Sequence, residues 1–206
     1  IDEGSFSEGD KLTPRSPYSA AKAGSDLIAL SYFTTHGLPV MVTRCSNNYG
    51  PYQFPEKVIP LFTTNLLDGA KVPLYGDGGN VRDWIHVHDH NTAADLVLRH
   101  GTPGEVYNIG GGNELTNKEL TYRLLALTGR DEAFIQPVED RKGHDRRYSL
   151  SADRTESLGW RAQVHWKEGI RRTVEWYRDN ESWWGPIRSG EYQEYYERQY
   201  GRKLGS

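Results

Sequence analysis

Apolar positions along the chain follow two rhythms, a three-to-four-residue repeat and short unbroken β-branched runs, and the two alternate. Residues 17–36 read as a helix: Ser16 can cap it, Pro17 is tolerated in its first turn, and Gly37 ends it. The apolar run 38–46 (LPVMVTRCS) has strand length and empties into a loop at 47–51. Residues 57–68 carry Val58, Ile59, Leu61, Phe62, Leu66 and Leu67 at helical spacing, and Gly69 stops them. A short strand at 71–75, a glycine turn at 76–79, a strand at 81–87, a helix at 90–100 and a strand at 105–109 follow, closed by Gly110, Gly111 and Gly112.

The second half is more mixed. Residues 116–128 read as a helix capped by Thr116 or Asn117, 134–138 as a strand, and 140–148 (DRKGHDRRY) as a charged loop. In 167–180 the side chains of Ile170, Val174 and Tyr177 fall at i, i+4 and i+7, which predicts an amphipathic helix with Trp176 beside its stripe. The tail from Glu181 holds Trp183, Trp184, Tyr192, Tyr195, Tyr196 and Tyr200, too aromatic for a plain linker. Strands alternating with helices predict α/β architecture. The sequence contains no internal repeat, low-complexity segment or clear linker.

Composition narrows the classes. A chain of 206 residues makes one substantial domain or two small ones, and buries enough surface (roughly 70% of that of the unfolded chain) to need no disulfide staple. Its one cysteine, Cys45, cannot bridge within the chain, which fits a reducing compartment. The net charge of -3 disfavours general nucleic-acid binding. No apolar run approaches the ~20 residues that span a bilayer, so the expectation is a soluble, cytoplasmic protein. Residue 1 is Ile, the first methionine is Met41, and residues 1–15 are polar and turn-rich, so the chain reads as a piece of a longer polypeptide.

The first candidate for chemistry is Tyr18 with Lys22, a Y-x-x-x-K pair whose spacing puts both side chains on one helix face. A neighbouring ammonium stabilises phenolate, the form that can take a hydroxyl proton. Four-spaced Tyr and Lys are common, and a solvated surface pair is the plainer alternative. The flank SPYSAAKAG is more specific: it resembles the active-site helix of the extended short-chain dehydrogenases/reductases. The segments RCSNNYGPYQFPEKVIPLF, VPLYGDGGNVRDWIHVHDH, YNIGGGNELTN and DRKGHDRRYS resemble, in order and spacing, segments of the dTDP-glucose 4,6-dehydratases of that family. The resemblance runs from Ile1 into the aromatic tail. Epimerase relatives share the Tyr/Lys helix but usually not SNNYGP with PEK followed by GHDRRY.

The resemblance implies the last part of a Rossmann-type parallel sheet plus a smaller mixed α/β sugar-nucleotide-binding domain. Residues 1–50, with returning segments near 80–100, would complete the NAD-binding domain, and 51–206 would mainly bind the substrate. No G-x-G-x-x-G or G-x-x-G-x-x-G pattern occurs. The family's glycine loop and its acid/base Asp-Glu pair would precede Ile1, and Asp2 and Glu3 would be loop residues.

The implied activity is the NAD-dependent conversion of dTDP-glucose to dTDP-4-keto-6-deoxyglucose, a hydro-lyase reaction of deoxysugar biosynthesis. Tyr18 and Lys22 would be catalytic and, with Asn48, would face NAD. Asn47 would contact substrate, Lys57 and Val58 the pyrophosphate, and Pro73, Leu74 and Tyr75 the thymine. Arg82, Asn117, Arg141 and His144 would hold the phosphates and nucleotide sugar. A homodimer formed through the Tyr18 helix is also implied, and that helix offers Leu27, Ile28, Leu30, Tyr32 and Phe33. The alternatives are a related nucleotide-sugar epimerase or dehydratase, and a non-catalytic sugar-nucleotide-binding fragment.

Two features point elsewhere and are weighed down. His86 and His88 would share a strand face and could in principle share a metal, but zinc wants a third protein ligand, and the family has no metal here. Cys45 reads as a small buried residue, and the Trp-rich tail as packing.

Overall fold

The computed structural model describes residues 4–140, 146–189 and 197–198. In chain order the elements are α1 (Pro17–His36), β1 (Val42–Cys45), β2 (Asn47–Tyr49), α2 (Val58–Leu67), β3 (Val72–Tyr75), β4 (Val81–His86), α3 (Val87–His100), β5 (Val106–Ile109), β6 (Glu114–Thr116), α4 (Asn117–Thr128), β7 (Ile135–Val138), β8 (Arg147–Tyr148), α5 (Asp153–Ser157), α6 (Trp166–Asp179) and α7 (Glu181–Arg188). The fold is α/β with parallel strand pairs, as expected.

The chain forms two compact units. The first comprises Ile1–Asn48, Asn80–Leu115 and Lys142–Trp166; the second comprises Tyr49–Gly79, Thr116–Arg141 and Lys167–Ser206.

In the first unit β1 runs parallel to β5, with Val42 opposite Val106 and Cys45 opposite Ile109. All four β5 residues are buried, as a strand covered on both faces requires. Ile85, Ala93, Ile109 and Trp160 form a core cluster. α5 docks on β5 by a hydrogen bond from Thr155 Oγ1 to the Asn108 carbonyl at 2.6 Å. The second sheet of this unit is ordered β2-β4-β6, with β8 parallel to β4.

α1 keeps the bounds its sequence signals predict. Ser16 and Ser19 form a reciprocal capping box, Pro17 opens the first turn, and Gly37 closes the helix at φ 67°. None of its residues is fully buried, and Leu27 and Ile28 are each 63% exposed.

In the second unit β3 and β7 are parallel, from Val72 opposite Ile135 to Tyr75 opposite Val138. Helices α2 and α4 pack against each other and against β3. Ile59, Leu61, Phe62 and Leu66 of α2, Leu120, Leu124 and Leu125 of α4, and Ile170, Val174 and Tyr177 of α6 are buried. The last three are the stripe read from the sequence. Arg130 donates from Nε to the Leu66 carbonyl at 2.9 Å, adding a side-chain donor to a C-terminal carbonyl of α2 that also accepts from the Gly69 N–H at 3.2 Å.

Several elements differ from expectation. Asn47–Tyr49 is a strand rather than a loop, because β4 offers it a hydrogen-bonding edge. The strand expected to 87 ends at His86, whose Nδ1 accepts from the His88 N–H at 3.2 Å and caps α3. His88 therefore lies on a helix, and the shared strand face considered for a metal does not form. The cap of α4 is Thr116, paired reciprocally with Glu119, so Asn117 is its first helical residue. The aromatic segment after Asn180 begins with a helix, α7, which buries Trp184.

Candidate functional site

α1 and the end of β1 carry the first group of candidate residues. Tyr18 is in the first turn of α1 and is 77% exposed; Lys22, one turn on, is also exposed. Asp26 continues the same i, i+4 column and accepts from Arg44 Nε of β1 at 2.8 Å. That ion pair ties the column to the strand that ends in Cys45. Beyond it, Asn48 Nδ2 donates to Cys45 Sγ at 3.3 Å and to the Ser46 carbonyl at 3.2 Å. Burial pushes the Cys45 thiol up, and the Asn48 amide and the Lys22 ammonium only partly offset it. Lys22, Cys45 and Asn48 are thus one neighbourhood. Its cysteine is only half-buried, not fully buried as expected, and it is a neutral thiol that orients an amide rather than an activated nucleophile.

Arg82 is on β4, opposite Tyr148 of β8, and its Nη1 donates to the Val81 carbonyl at 2.7 Å. The next residue, Asp83, is fully buried, and no motif in the sequence assigns it a role. Its carboxylate accepts from the Gly111 N–H at 2.8 Å and the Asn113 N–H at 2.7 Å. A Cβ on Gly111 would sit 2.0 Å from the Trp84 carbonyl oxygen, so only glycine fits there. The Gly110–Gly112 run, whose spacing is wrong for a dinucleotide loop, serves to wrap this carboxylate.

Asp89, also buried, accepts in the same manner from the Gln163 and Val164 N–H groups at 3.0 and 2.9 Å. Arg147, from the basic GHDRRY segment, makes a two-pronged ion pair with Glu114 at 2.8 and 2.7 Å and is structural.

The second unit holds the other candidates. Lys57 stands at the N-cap of α2 in an extended conformation, makes no side-chain cap bond, and pairs with Glu56 at 2.7 Å. Val58 is the first residue of the helix. Pro73, Leu74 and Tyr75 are the last three residues of β3, and the turn after it brings that strand to the start of α4. The Gly78 N–H donates to the Tyr75 carbonyl, and the Lys118 N–H to the Gly78 carbonyl, both at 2.9 Å. Gly78 has φ +69°, and a Cβ there would lie 3.0 Å from both Leu74 Cδ1 and Lys118 Cβ. The turn therefore joins the end of β3 to the first turn of α4, the element on which Asn117 stands. Arg141 and His144 lie outside the described residues.

Among the described residues no three His, Cys, Asp or Glu side chains gather as a metal site, and no helix is long and apolar enough to cross a membrane.

A family model described as GDP-mannose 4,6 dehydratase matches residues 1–173. The chain is 61% identical over 189 residues to a dTDP-glucose 4,6-dehydratase of Streptomyces antibioticus, covering 91% of this chain and 56% of that protein. It is similar to the crystal structure of DesIV, a dTDP-glucose 4,6-dehydratase from Streptomyces venezuelae with NAD and TYD bound. There the TM-score is 0.89 and the identity 58%, over 91% of this chain and 58% of that one. A dTDP-glucose 4,6-dehydratase from Bacillus anthracis in complex with NAD gives a TM-score of 0.86 at 53% identity, over 91% and 60% of the two chains. The chain thus spans a little over half the length of the relatives it matches.

Proposed function

The chain belongs to the GDP-mannose 4,6-dehydratase family, and from that premise we propose that it supplies the Tyr/Lys helix and the nucleotide-sugar-binding unit of an NAD-dependent dTDP-glucose 4,6-dehydratase. The observation that carries this reading is the Tyr18–Lys22–Asp26 column. It leaves a phenol and an ammonium open on one helix face, and an ion pair anchors it to the strand that ends beside Asn48.

In this reading the first unit completes the NAD-binding fold and the second receives the sugar nucleotide. The exposed phenol and ammonium and the oriented Asn48 amide suit the nicotinamide-ribose end of NAD, since ribose hydroxyls need both donors and acceptors. NAD, when bound, accepts and later returns a hydride.

Tyr18, as phenolate, removes the proton from the 4-hydroxyl of the hexose, and Lys22 stabilises that phenolate and holds the ribose. Oxidation at carbon 4 acidifies the hydrogen on carbon 5, so that a base would take it while an acid protonates the 6-hydroxyl, which leaves as water. The resemblance gives these two roles to an Asp-Glu pair of the complete enzyme, and the hydride would then return to carbon 6. Asn47, beside Asn48 on β2, contacts the sugar. Val58, with the start of α2, and Lys57 take the pyrophosphate, which favours a helix N-terminus. Pro73, Leu74 and Tyr75 flank the thymine. Arg82, Asn117, Arg141 and His144 complete the nucleotide contacts, the arginines being suited to phosphate through paired donors.

Leu27, Ile28, Tyr32 and Phe33, exposed on α1, are the surface we assign to a homodimer partner. We place the protein in the cytoplasm, without nucleic-acid or membrane partners.

Incubating the complete enzyme with dTDP-glucose and NAD tests the reading. The expected product is dTDP-4-keto-6-deoxyglucose, with a mass lower by one water and no net change in NAD. Formation of dTDP-galactose without loss of water points to the epimerase alternative. Tight dTDP binding without turnover points to the binding-module alternative.

A further inference from the structure

We propose that Tyr52 is a positioning residue for the nucleotide sugar: its ring, clasped by Trp176 and Trp183, holds the loop that delivers Lys57 and Val58 to the start of α2. The inference deepens the reading of that helix start given above and rests on it.

Tyr52 is, among the described residues, the one non-glycine with a positive φ, at 62°. Bulky side chains avoid this conformation, and it persists only where surroundings impose it. Core burial does not impose it, because Tyr52 is 66% exposed. Ring contacts do. The Tyr52 ring lies 4.5 Å, centroid to centroid, from Trp176 of α6 and meets Trp183 of α7 edge-on at 5.5 Å. The two tryptophans pack on each other at 5.3 Å. These spacings leave no room for a ligand between the rings, so the cluster is a clasp rather than a cage.

The hold passes on along the loop. The next residue, Gln53, accepts at its carbonyl from the Tyr177 hydroxyl at 2.6 Å. Tyr177 is fully buried, and burial keeps its phenol protonated as a donor. The Lys57 N–H then bonds to the Phe54 carbonyl at 3.1 Å, and the Leu61 N–H to the Lys57 carbonyl at 2.8 Å. From Tyr52 to the first helical turn, the ring contacts and three successive hydrogen bonds to the backbone hold the chain.

The chemistry of that turn makes the fixing matter. The third residue of α2 is Pro60, which has no N–H, so Val58 and Ile59 supply the first-turn amides of the helix. An anion gripped by two amides is more sensitive to the entry angle of the chain than one gripped by a full turn. α6 and α7 thereby contribute to binding through Tyr52 without needing to touch the ligand.

The test uses the complete enzyme with three variants. Tyr52→Ala removes the ring, Tyr52→Gly removes it while relieving the left-handed backbone, and Tyr52→Phe retains it. Loss of the ring's contacts with Trp176 and Trp183 predicts that KM for dTDP-glucose and the calorimetric Kd for dTDP rise about tenfold in Tyr52→Ala and Tyr52→Gly. The value of kcat should stay within about twofold, and Tyr52→Phe should match the unmodified enzyme. Trp176→Leu, which removes the clasp from the other side, should reproduce the KM effect. Unchanged dTDP affinity in the alanine and glycine variants overturns the inference while leaving the functional reading intact. A parallel fall in kcat and Tm also overturns it, since that is what a purely structural ring would give. Failure of the unmodified enzyme to bind dTDP overturns the reading of the site, and this inference with it.

Discussion

Arg44 of β1 donates to Asp26 of α1 at 2.8 Å, with both side chains only 18% exposed, so the helix that carries Tyr18 is tied to its strand by one ion pair two turns further on. Ser19 caps the helix locally through Ser16, whereas Asp26 ties it to another element of the fold. The helix buries none of its residues fully, and its seating on the sheet leans on this contact more than a well-buried helix would. Asp26→Asn should lower the unfolding free energy by about 1.5–3 kcal/mol, the range for a charge-assisted bond. A double-mutant cycle with Arg44→Gln in urea titrations checks it. A coupling energy near zero would show that the pair is ornamental.

Tyr18→Phe in the complete enzyme should leave dTDP affinity and Tm unchanged, because the side chain is mostly exposed, while turnover falls by ~10²–10⁴-fold with loss of the base. Turnover within a few fold of the unmodified enzyme removes Tyr18 from the proposed chemistry. Lys22→Met should reduce both turnover and the NAD content of the purified protein, and unchanged NAD content argues against its ribose contact.

Asp83 and Gly111 should be among the most mutation-sensitive positions of the first unit. Asp83→Ala strands two buried N–H groups, each costing ~1–3 kcal/mol, so a loss of about 2–6 kcal/mol is expected. Gly111→Ala places a Cβ 2.0 Å from the Trp84 carbonyl oxygen and should prevent the turn from closing. By contrast, a Cβ on Gly24 meets nothing within 4 Å, and Gly24→Ala within α1 should be neutral or stabilising. Comparing the Tm values of the three variants checks the ranking, and equal values for the two glycine variants would refute it.

Glu168 accepts from Arg171 at 2.7 Å and from Arg172 at 2.6 Å, and these guanidinium bonds hold its carboxyl down at about 2. A carboxyl held below its unfolded value favours the folded state above that unfolded value. The contribution fades as pH falls from the ordinary carboxylate range through about 2. An NMR titration should therefore find the Glu168 midpoint well below that of an isolated glutamate, and 1 M salt should move it upward, since the cluster is exposed. A midpoint in the ordinary range would show that the pairs do not persist in solution.

Elements with strong local signals were legible without coordinates. Ser16 and Gly37 bracket α1 because a serine cap and a left-handed glycine are local chemistry, decided within one turn of chain. Ile170, Val174 and Tyr177 identified the buried face of α6 because a helix repeats its side-chain directions regardless of what covers them. The motif segments likewise marked Tyr18, Lys22, Asn48 and the start of α2 as candidates. The strands β2, β6 and β8 carry no local signal: two or three residues are too few for an alternating pattern, and they exist because β4 supplies a pairing edge. α7 was masked by its own aromatic composition.

What the sequence determined by itself was the alternation of helices and strands, the family resemblance and the residues on which it rests, all of them properties of near neighbours in the chain. Only the tertiary structure decided the long-range pairings: Asp83 with the Gly111 and Asn113 amides, Arg147 with Glu114, Tyr177 with the Gln53 carbonyl, and Tyr52 between two tryptophans more than 120 residues away. The physical reason is that a buried carboxylate, amide or ring must find a complementary group, and many residues of the right type were available. The folded backbone selects among them by bringing one within about 3 Å and leaving the others in water.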